Sequence, residues 1–281
     1  MPNHRDTNAM SNTTIHETAI VDKGAVIGDG TYIGPYCCVG SDVVLGPNVR
    51  LESHVVITGI TKIGAGSLIY PFASLGQKPQ DLKYKGEPSR LEIGENTVIR
   101  EYVTANTGTE NGGMLTKIGN ECLIMAYCHV AHDCIIGNNV IMVNGVNLSG
   151  HVVVGDYAII GGMSAVKQFI RIGKHAMIGG DTGVDRDVIP YGLVMGNRLT
   201  TLHGLNIIGL KRKGIPADVI EQMLGAYRDI FESADSSTSF TDNLKTVSNK
   251  YAGQRNVEEI IDFIKSLSKN PICTAHSNDG G

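Results

Sequence analysis

Isoleucine, leucine or valine returns at every sixth position, without a gap, through Ile15, Val21, Ile27, Ile33, Val39, Leu45, Leu51, Ile57, Ile63, Ile69 and Leu75. A second run continues from Ile118 through Ile124, Val130, Ile136, Met142, Leu148, Val154, Ile160, Val166, Ile172 and Ile178 to Val184, with Met142 its one exception. An amphipathic helix repeats every 3.6 residues and an isolated strand every two, so neither yields a strict six. Hexapeptide repeats that form short strands joined by bends do, with three strands to a coil and eighteen residues to a turn. The expected fold is therefore mainly β, a parallel β-helix whose coils stack at the spacing of paired strands.

Two more columns follow from the same ruler. The next residue is often glycine, as at Gly28, Gly46, Gly64, Gly137 and Gly155, which suits a tight bend or a positive φ. Four places on comes a small or β-branched residue such as Ala25, Cys37, Val49, Ser67, Val146 or Ala158, filling the rest of the interior. Cys122, Cys128 and Cys134 fall in this column on successive faces, so they cannot converge on a metal while the coil is intact. Cys38 should point outward and stay unpaired with Cys37. Six cysteines without an apolar leader in residues 1–14 suit a reduced, cytoplasmic chain. No run of some 18 apolar residues offers a membrane span. A net charge of −4 provides no general attraction to nucleic acid.

The ruler breaks twice, at QKPQDLKYKGEPSR (77–90) and near 106–117, and such loops leaving a rigid solenoid are where binding groups tend to sit. The expected organisation is a flexible tail over 1–14, the β-helix over 15–197 with excursions near 77–91 and 106–117, a small α-helical domain over 198–270 and a flexible tail over 271–281. Helical spacing supports the third part, in Ile220, Met223, Leu224, Tyr227 and Ile230 after Pro216, then near 240–252, then in Val257, Ile260, Ile261 and Ile264.

His132 lies two places past its ruler residue, and Gly150 and Gln168 stack over it one and two coils on. His151 is one coil plus one place away, and His129 precedes Val130, so these side chains share one outer strip. Imidazole titrates near neutrality, which makes His132 a candidate general base with Asp133 orienting it. Three histidines could equally bind zinc or simply face solvent, and spacing alone leaves these readings open.

Beyond spacing, QDLKYKGEP (80–88), HVAHDC (129–134), LSGH (148–151), IIGGMSAV (159–166) and GNR followed by GLNIIGLKRKG (196–214) resemble, in order and spacing, the acyl-carrier-protein:UDP-N-acetylglucosamine O-acyltransferases. The resemblance runs from about residue 15 to 265. It implies a homotrimer of left-handed β-helices, with active sites between neighbours, that performs the first step of lipid A biosynthesis. A 3-hydroxyacyl chain would pass from the phosphopantetheine of acyl carrier protein to the 3-position of the UDP-sugar, without a cofactor or metal.

On that resemblance His132 is the base, Asp133 supports it and the Gly150 N–H stabilises the oxyanion. Gln80, Asp81 and Lys83 take the sugar nucleotide, and His129, His151, Lys167 and Gln168 line the cleft. Asn206 and Arg212 complete the nucleotide site, and Gly180 leaves room for a longer acyl chain. Lys167, Ile208 and Asn106 depart from the family, standing where it has histidine, glutamate and histidine, and leave the choice between hydroxyl and amine acceptors open. Arg171, Lys174, Arg198, Lys211, Arg212 and Lys213 offer charge to the acidic carrier protein. The rival readings are another hexapeptide acyltransferase, either UDP-3-O-acylglucosamine N-acyltransferase or a coenzyme A dependent acetyltransferase, a zinc β-helical carbonic anhydrase, and a purely structural solenoid.

Overall fold

A computed structural model describes residues 13–196, 200–232 and 239–274. The ruler residues form a left-handed parallel β-helix of three sheets with eleven, nine and eight strands among the described residues. Each coil lies directly on the last: Ile33 pairs with Leu51, Leu51 with Ile69, and later Met142 with Ile160 and Ile160 with Ile178. Ile33, Leu51, Ile69, Met142 and Ile160 are all fully buried. Truncating one of them to alanine leaves a hole its stacked neighbours cannot fill, at a cost of about 2–5 kcal/mol.

The two excursions lengthen single coils and leave the stacking intact. Ile69 pairs with Ile99, thirty residues on, across the loop 78–89, and Ile99 with Ile124, twenty-five on, across 107–114. The loops hold each other: the Asn106 amide donates to the carbonyls of Gln77 and Lys78 (3.3 and 2.8 Å), Ser89 bonds Thr107 (3.0 Å), and the Glu110 N–H donates to Glu87 (3.2 Å).

Of the two causes expected for the glycine column, the tight bend is present, since Thr31 and Ala158 donate back to the carbonyls of Gly28 and Gly155, and the positive φ is not; close approach between coils is a further cause. Gly64 does not adopt a positive φ; a Cβ there would lie 2.5 Å from the Gly94 carbonyl carbon of the next coil, so glycine permits backbone to lie on backbone. The left-handed conformation falls two places later and is carried mostly by larger residues, among them Tyr36, His54, Phe72, Tyr102, Tyr127, Asp133 and His151. That conformation costs about 1–2 kcal/mol at each non-glycine residue. Stacking offsets it: Tyr36, His54, Phe72, Tyr102 and Tyr127 form a ladder with ring centroids 4.9–5.0 Å apart, and each such pair contributes about 0.5–1.5 kcal/mol.

Cys37, Cys122, Cys128 and Cys134 are buried in the small column, Cys38 is half-buried, and all six thiols are free. Burial pushes Cys128 up to about 11 and Cys134 up to about 12. These are core fillers; neither is activated as a nucleophile.

The helical region starts later than 198. Residues 201–205 form an antiparallel strand on Gly192–Met195, with Leu202 and Leu205 turned into the core, and they close the first sheet. Helices α1 (Ile207–Arg212), α2 (Ala217–Phe231), α3 (Phe240–Lys250) and α4 (Arg255–Lys265) follow, α2 packing on α3, α4 and the closing strand. Pro216 is the cap of α2, one place before its first turn.

The tail expected over 271–281 is held in place as far as Thr274. Pro271 and Cys273 bond either side of Asp187, and Leu202 donates to Thr274. Asp187 is fully buried and also accepts from Arg171 (2.7 Å) and Ser268 (2.5 Å), so one carboxylate ties this segment to the solenoid. Thr14 likewise begins the first strand, whereas the rest of the expected tails, 1–12 and 275–281, lies outside the described residues. Among the described residues no helix is long and apolar enough to cross a membrane.

Candidate active site

His129 and Val130 form a strand of the second sheet, Ile135 and Ile136 one of the third, and the corner between them carries His132 and Asp133. The left-handed turn at Asp133, with φ of 60°, aims its carboxylate back along the corner. His132 Nδ1 is 2.8 Å from Asp133 Oδ2, which leaves Nε2 as the ring's other functional atom. The opposite side of the carboxylate is held by the second excursion: Thr109 donates its N–H to Oδ1 (2.8 Å) and its hydroxyl to Oδ2 (2.6 Å). His132 is 7% exposed and Asp133 4% exposed, a closed base with one open edge.

The imidazole lies on Gly150. A Cβ at that position would sit 2.4 Å from His132 Cε1 and 2.6 Å from Nε2, so no other residue leaves the ring in place. At the described corners the N–H two places past the ruler has no backbone acceptor, which is why Pro35, Pro47 and Pro71 can occupy that position, while at Glu95, Asn120 and Asn138 it donates to a side chain instead. At Gly150 the same geometry leaves an N–H with no acceptor among the described residues, beside the imidazole. A base and an unpaired backbone donor on adjacent coils suit deprotonation of a nucleophile and stabilisation of a developing oxyanion.

His151 stands edge-on to His132 at 5.1 Å between centroids and stacks on Phe169 at 4.5 Å, and Lys269 Nζ caps Phe169 at 3.9 Å. Burial holds His151 below the usual histidine range; Asp133 and Asp81 oppose that, and His132 and Lys269 reinforce it. Asp81 and Lys269 therefore both bear on this corner. His129 is also lowered, by burial and then by His132, and its Nδ1 is 2.7 Å from Thr104 Oγ1.

One nitrogen each of His132 and His151 and one Asp133 oxygen lie within 4.8 Å of one another, close enough for a metal. The carboxylate is already committed, since Oδ1 accepts from Thr109 and Oδ2 accepts from the Thr109 hydroxyl while facing His132. His132 and His151 both approach Oδ2, so a cation shared with them there would have to displace the Thr109 hydroxyl; as it stands the set is a hydrogen-bonded dyad.

Residues 187–273 match the family described as UDP N-acetylglucosamine O-acyltransferase, domain 2, and residues 12–45, 24–59 and 115–150 match the bacterial transferase hexapeptide. The chain is 47% identical over 260 residues to the acyl-[acyl-carrier-protein]--UDP-N-acetylglucosamine O-acyltransferase of Rhizobium johnstonii, covering 92% of this chain and 94% of the relative. The chain belongs to that family of O-acyltransferases. Solved relatives share its shape: LpxA from Acinetobacter baumannii is 40% identical with a TM-score of 0.87, over 92% of this chain and 99% of that one. The Francisella novicida UDP-N-acetylglucosamine acyltransferase is 36% identical with a TM-score of 0.87, over 92% and 94%.

Within one chain, the residues anticipated for this O-acyltransferase site fall at separate places. His129, His132, Asp133, Gly150 and His151 form one cluster, and Asp81 on the first excursion is in electrostatic reach. Gln80 and Lys83 are exposed on that loop, where the Lys83 N–H donates to Asp81 (2.9 Å). Lys167 and Gln168 are exposed beyond Gly150. Asn206 and Arg212 are elsewhere, on a pocket of about 600 Å³ walled by Tyr157, His175, Met177 and Leu193 at the corner between the third and first sheets. Asn206 also caps α1, accepting from the Gly209 N–H (3.0 Å). Gly180 is exposed at the remaining corner, between the first and second sheets.

Of the departures from the family pattern, Ile208 is 67% exposed on the Asn206 pocket and Asn106 is buried as the anchor of the first excursion. Of the basic residues, Arg171 is paired with Asp187 and Lys174 with Glu259 (2.6 Å), leaving Lys211, Arg212 and Lys213 as the exposed group; Arg198 lies outside the described residues. The sequence reading missed Thr109, Phe169 and Lys269. Phe169 was within reach, being one coil past His151, whereas nothing in the spacing marks Thr109 or Lys269.

Proposed function

We propose that the chain transfers a 3-hydroxyacyl group from acyl carrier protein to the 3-position of UDP-N-acetylglucosamine or its 3-amino analogue. The observation that carries the mechanism is a Gly150 N–H without an acceptor among the described residues, next to an imidazole whose Nδ1 faces a fixed carboxylate. His132 Nε2 takes the proton from the sugar nucleophile, which attacks the thioester carbonyl. The Gly150 N–H meets the oxyanion as the tetrahedral intermediate forms. Collapse breaks the C–S bond, and the proton held by His132 passes to the leaving phosphopantetheine thiolate. Asp133 balances the imidazolium in between. No cofactor, metal or covalent intermediate enters this scheme.

Because Asn206 and Arg212 occupy a different corner from His132, the reading calls for a homotrimer in which the nucleotide pocket of one copy faces the catalytic corner of the next. Lys83, Gln80 and Asp81 bind the sugar nucleotide, His129, His151, Lys167 and Gln168 line the cleft, and Gly180 borders the acyl chain. The exposed Lys211, Arg212 and Lys213 receive the acidic carrier protein. Six free thiols fit a cytoplasmic reaction.

Supplying acyl carrier protein and coenzyme A thioesters of mixed length to the purified chain, with either sugar nucleotide, and weighing the products tests the proposal. A mass increase of one 3-hydroxyacyl group, drawn from the carrier protein, is expected. Transfer only from coenzyme A, or only an acetyl group, would point to another transferase. Lys83→Ala is expected to raise the KM for the sugar nucleotide about tenfold or more, as for a lost hydrogen bond to a charged group, with donor KM unchanged. Steady-state kinetics in both substrates check this, and a change confined to donor KM would remove Lys83 from the acceptor site.

A further inference from the structure

The second excursion adds residues to a coil that needs none of them for its stacking, and two of its hydrogen bonds meet on one carboxylate. Thr109 gives Asp133 both its N–H (to Oδ1, 2.8 Å) and its hydroxyl (to Oδ2, 2.6 Å), and Thr116 Oγ1 accepts the Asp133 N–H (2.8 Å). Two glycines admit the carboxylate to this cradle. A Cβ at Gly112 would lie 1.9 Å from Asp133 Cγ, and one at Gly108 would lie 2.8 Å from Asp133 Oδ1. All three polar groups, Thr109, Thr116 and Asp133, are buried.

We propose that Thr109 is a positioning residue for the transfer reaction, fixing the rotation of the Asp133 carboxylate so that Oδ2 stays in line with His132 Nδ1. The inference rests on His132 as the base. A carboxylate can rotate about its last bond, and a His–Asp contact works only while one oxygen faces the ring nitrogen. With the Oδ1 side held by a backbone N–H and Oδ2 by a hydroxyl, the group has one orientation, and the remaining lone-pair direction of Oδ2 meets Nδ1. That bond keeps the Nδ1–H tautomer and leaves Nε2 free to accept a proton. The same loop is tied to the excursion that carries Lys83, through Glu110 to Glu87 (3.2 Å) and Thr107 to Ser89 (3.0 Å). The acceptor loop and the Asp133 cradle thus share one support.

The test uses Thr109→Val, which keeps the shape and removes the hydroxyl, and Thr109→Ser, which restores it, in the full-length enzyme with turnover expressed per folded protein. The valine variant is expected to lose about 10–100-fold in kcat, by analogy with outer partners that orient metal-bound histidines, with both KM values unchanged. The serine variant should recover to within about threefold of the parent on the same scale. A low-field Nδ1–H proton resonance of His132, absent in His132→Ala, should move in the valine variant and return in the serine variant. A purely structural threonine would lower the unfolding temperature and leave kcat per folded enzyme and the resonance unchanged, which would overturn the proposal. If the valine variant does not fold, Thr109→Ala is read the same way. His132→Ala separates the two levels: parent-like turnover there sinks the base itself, whereas a disabled His132→Ala beside a parent-like Thr109→Val sinks only the cradle.

Discussion

Replacing His132 with alanine is expected to lower kcat by about 10²–10⁴-fold, the range for a general base, with the fold retained. The ring sits outside the stacked core, so its removal leaves the ruler residues untouched, and Thr109 still satisfies Asp133. His151 offers no substitute: its Nδ1 is 3.8 Å from Asp133 Oδ2, beyond a hydrogen bond, and its ring is committed to stacking on Phe169. Single-turnover transfer from an acyl carrier protein thioester, with circular dichroism to verify the fold, is the measurement. Parent-like turnover in a folded variant would remove His132 from the chemistry.

Gly150→Ala is expected to be nearly as damaging from a single added methyl. The backbone there is not left-handed, so alanine is conformationally acceptable and the coil should form. The methyl would, however, lie 2.4 Å from His132 Cε1, and the ring must swing off its carboxylate. The same methyl would crowd the N–H that the proposed mechanism directs at the oxyanion. Losing alignment of a catalytic group costs about 10²-fold, and losing an oxyanion donor about 10²–10³-fold. We therefore expect kcat to fall at least 10²-fold on those scales, with an unfolding temperature close to the parent's. Turnover within a few-fold of the parent would show that the His132 ring has room that the close packing denies.

What the sequence disclosed depended on the stride. Ile15 to Leu75 and Ile118 to Val184 announced the coils because each interior residue meets its own kind eighteen places away, and the same ruler correctly put Gly150 over His132. Where contacts leave the stride, the signal was lost. The closing strand at 201–205 runs antiparallel and owes nothing to the hexad, so its alternation was absorbed into the helical region. Pro271 to Thr274 are ordered by Asp187, some eighty residues earlier, a pairing no local pattern reports. The glycine column was visible and its tight bend was legible, but close approach between coils was taken for positive φ, since both select the same residue type. Thr109 was hidden because an excursion has no period, and a threonine that orients a carboxylate looks in sequence like any loop threonine.

In the proposed reaction the acceptor nucleophile meets His132 Nε2 beside the Gly150 N–H. A crystal structure of the chain with UDP-N-acetylglucosamine bound tests it most directly. The sugar 3-oxygen should lie within hydrogen-bonding distance of His132 Nε2, at about 2.6–3.2 Å, with the nucleotide reaching Asn206 of a neighbouring copy. A sugar seated away from that corner, or an imidazole ligated to a cation in the bound state, would contradict the account.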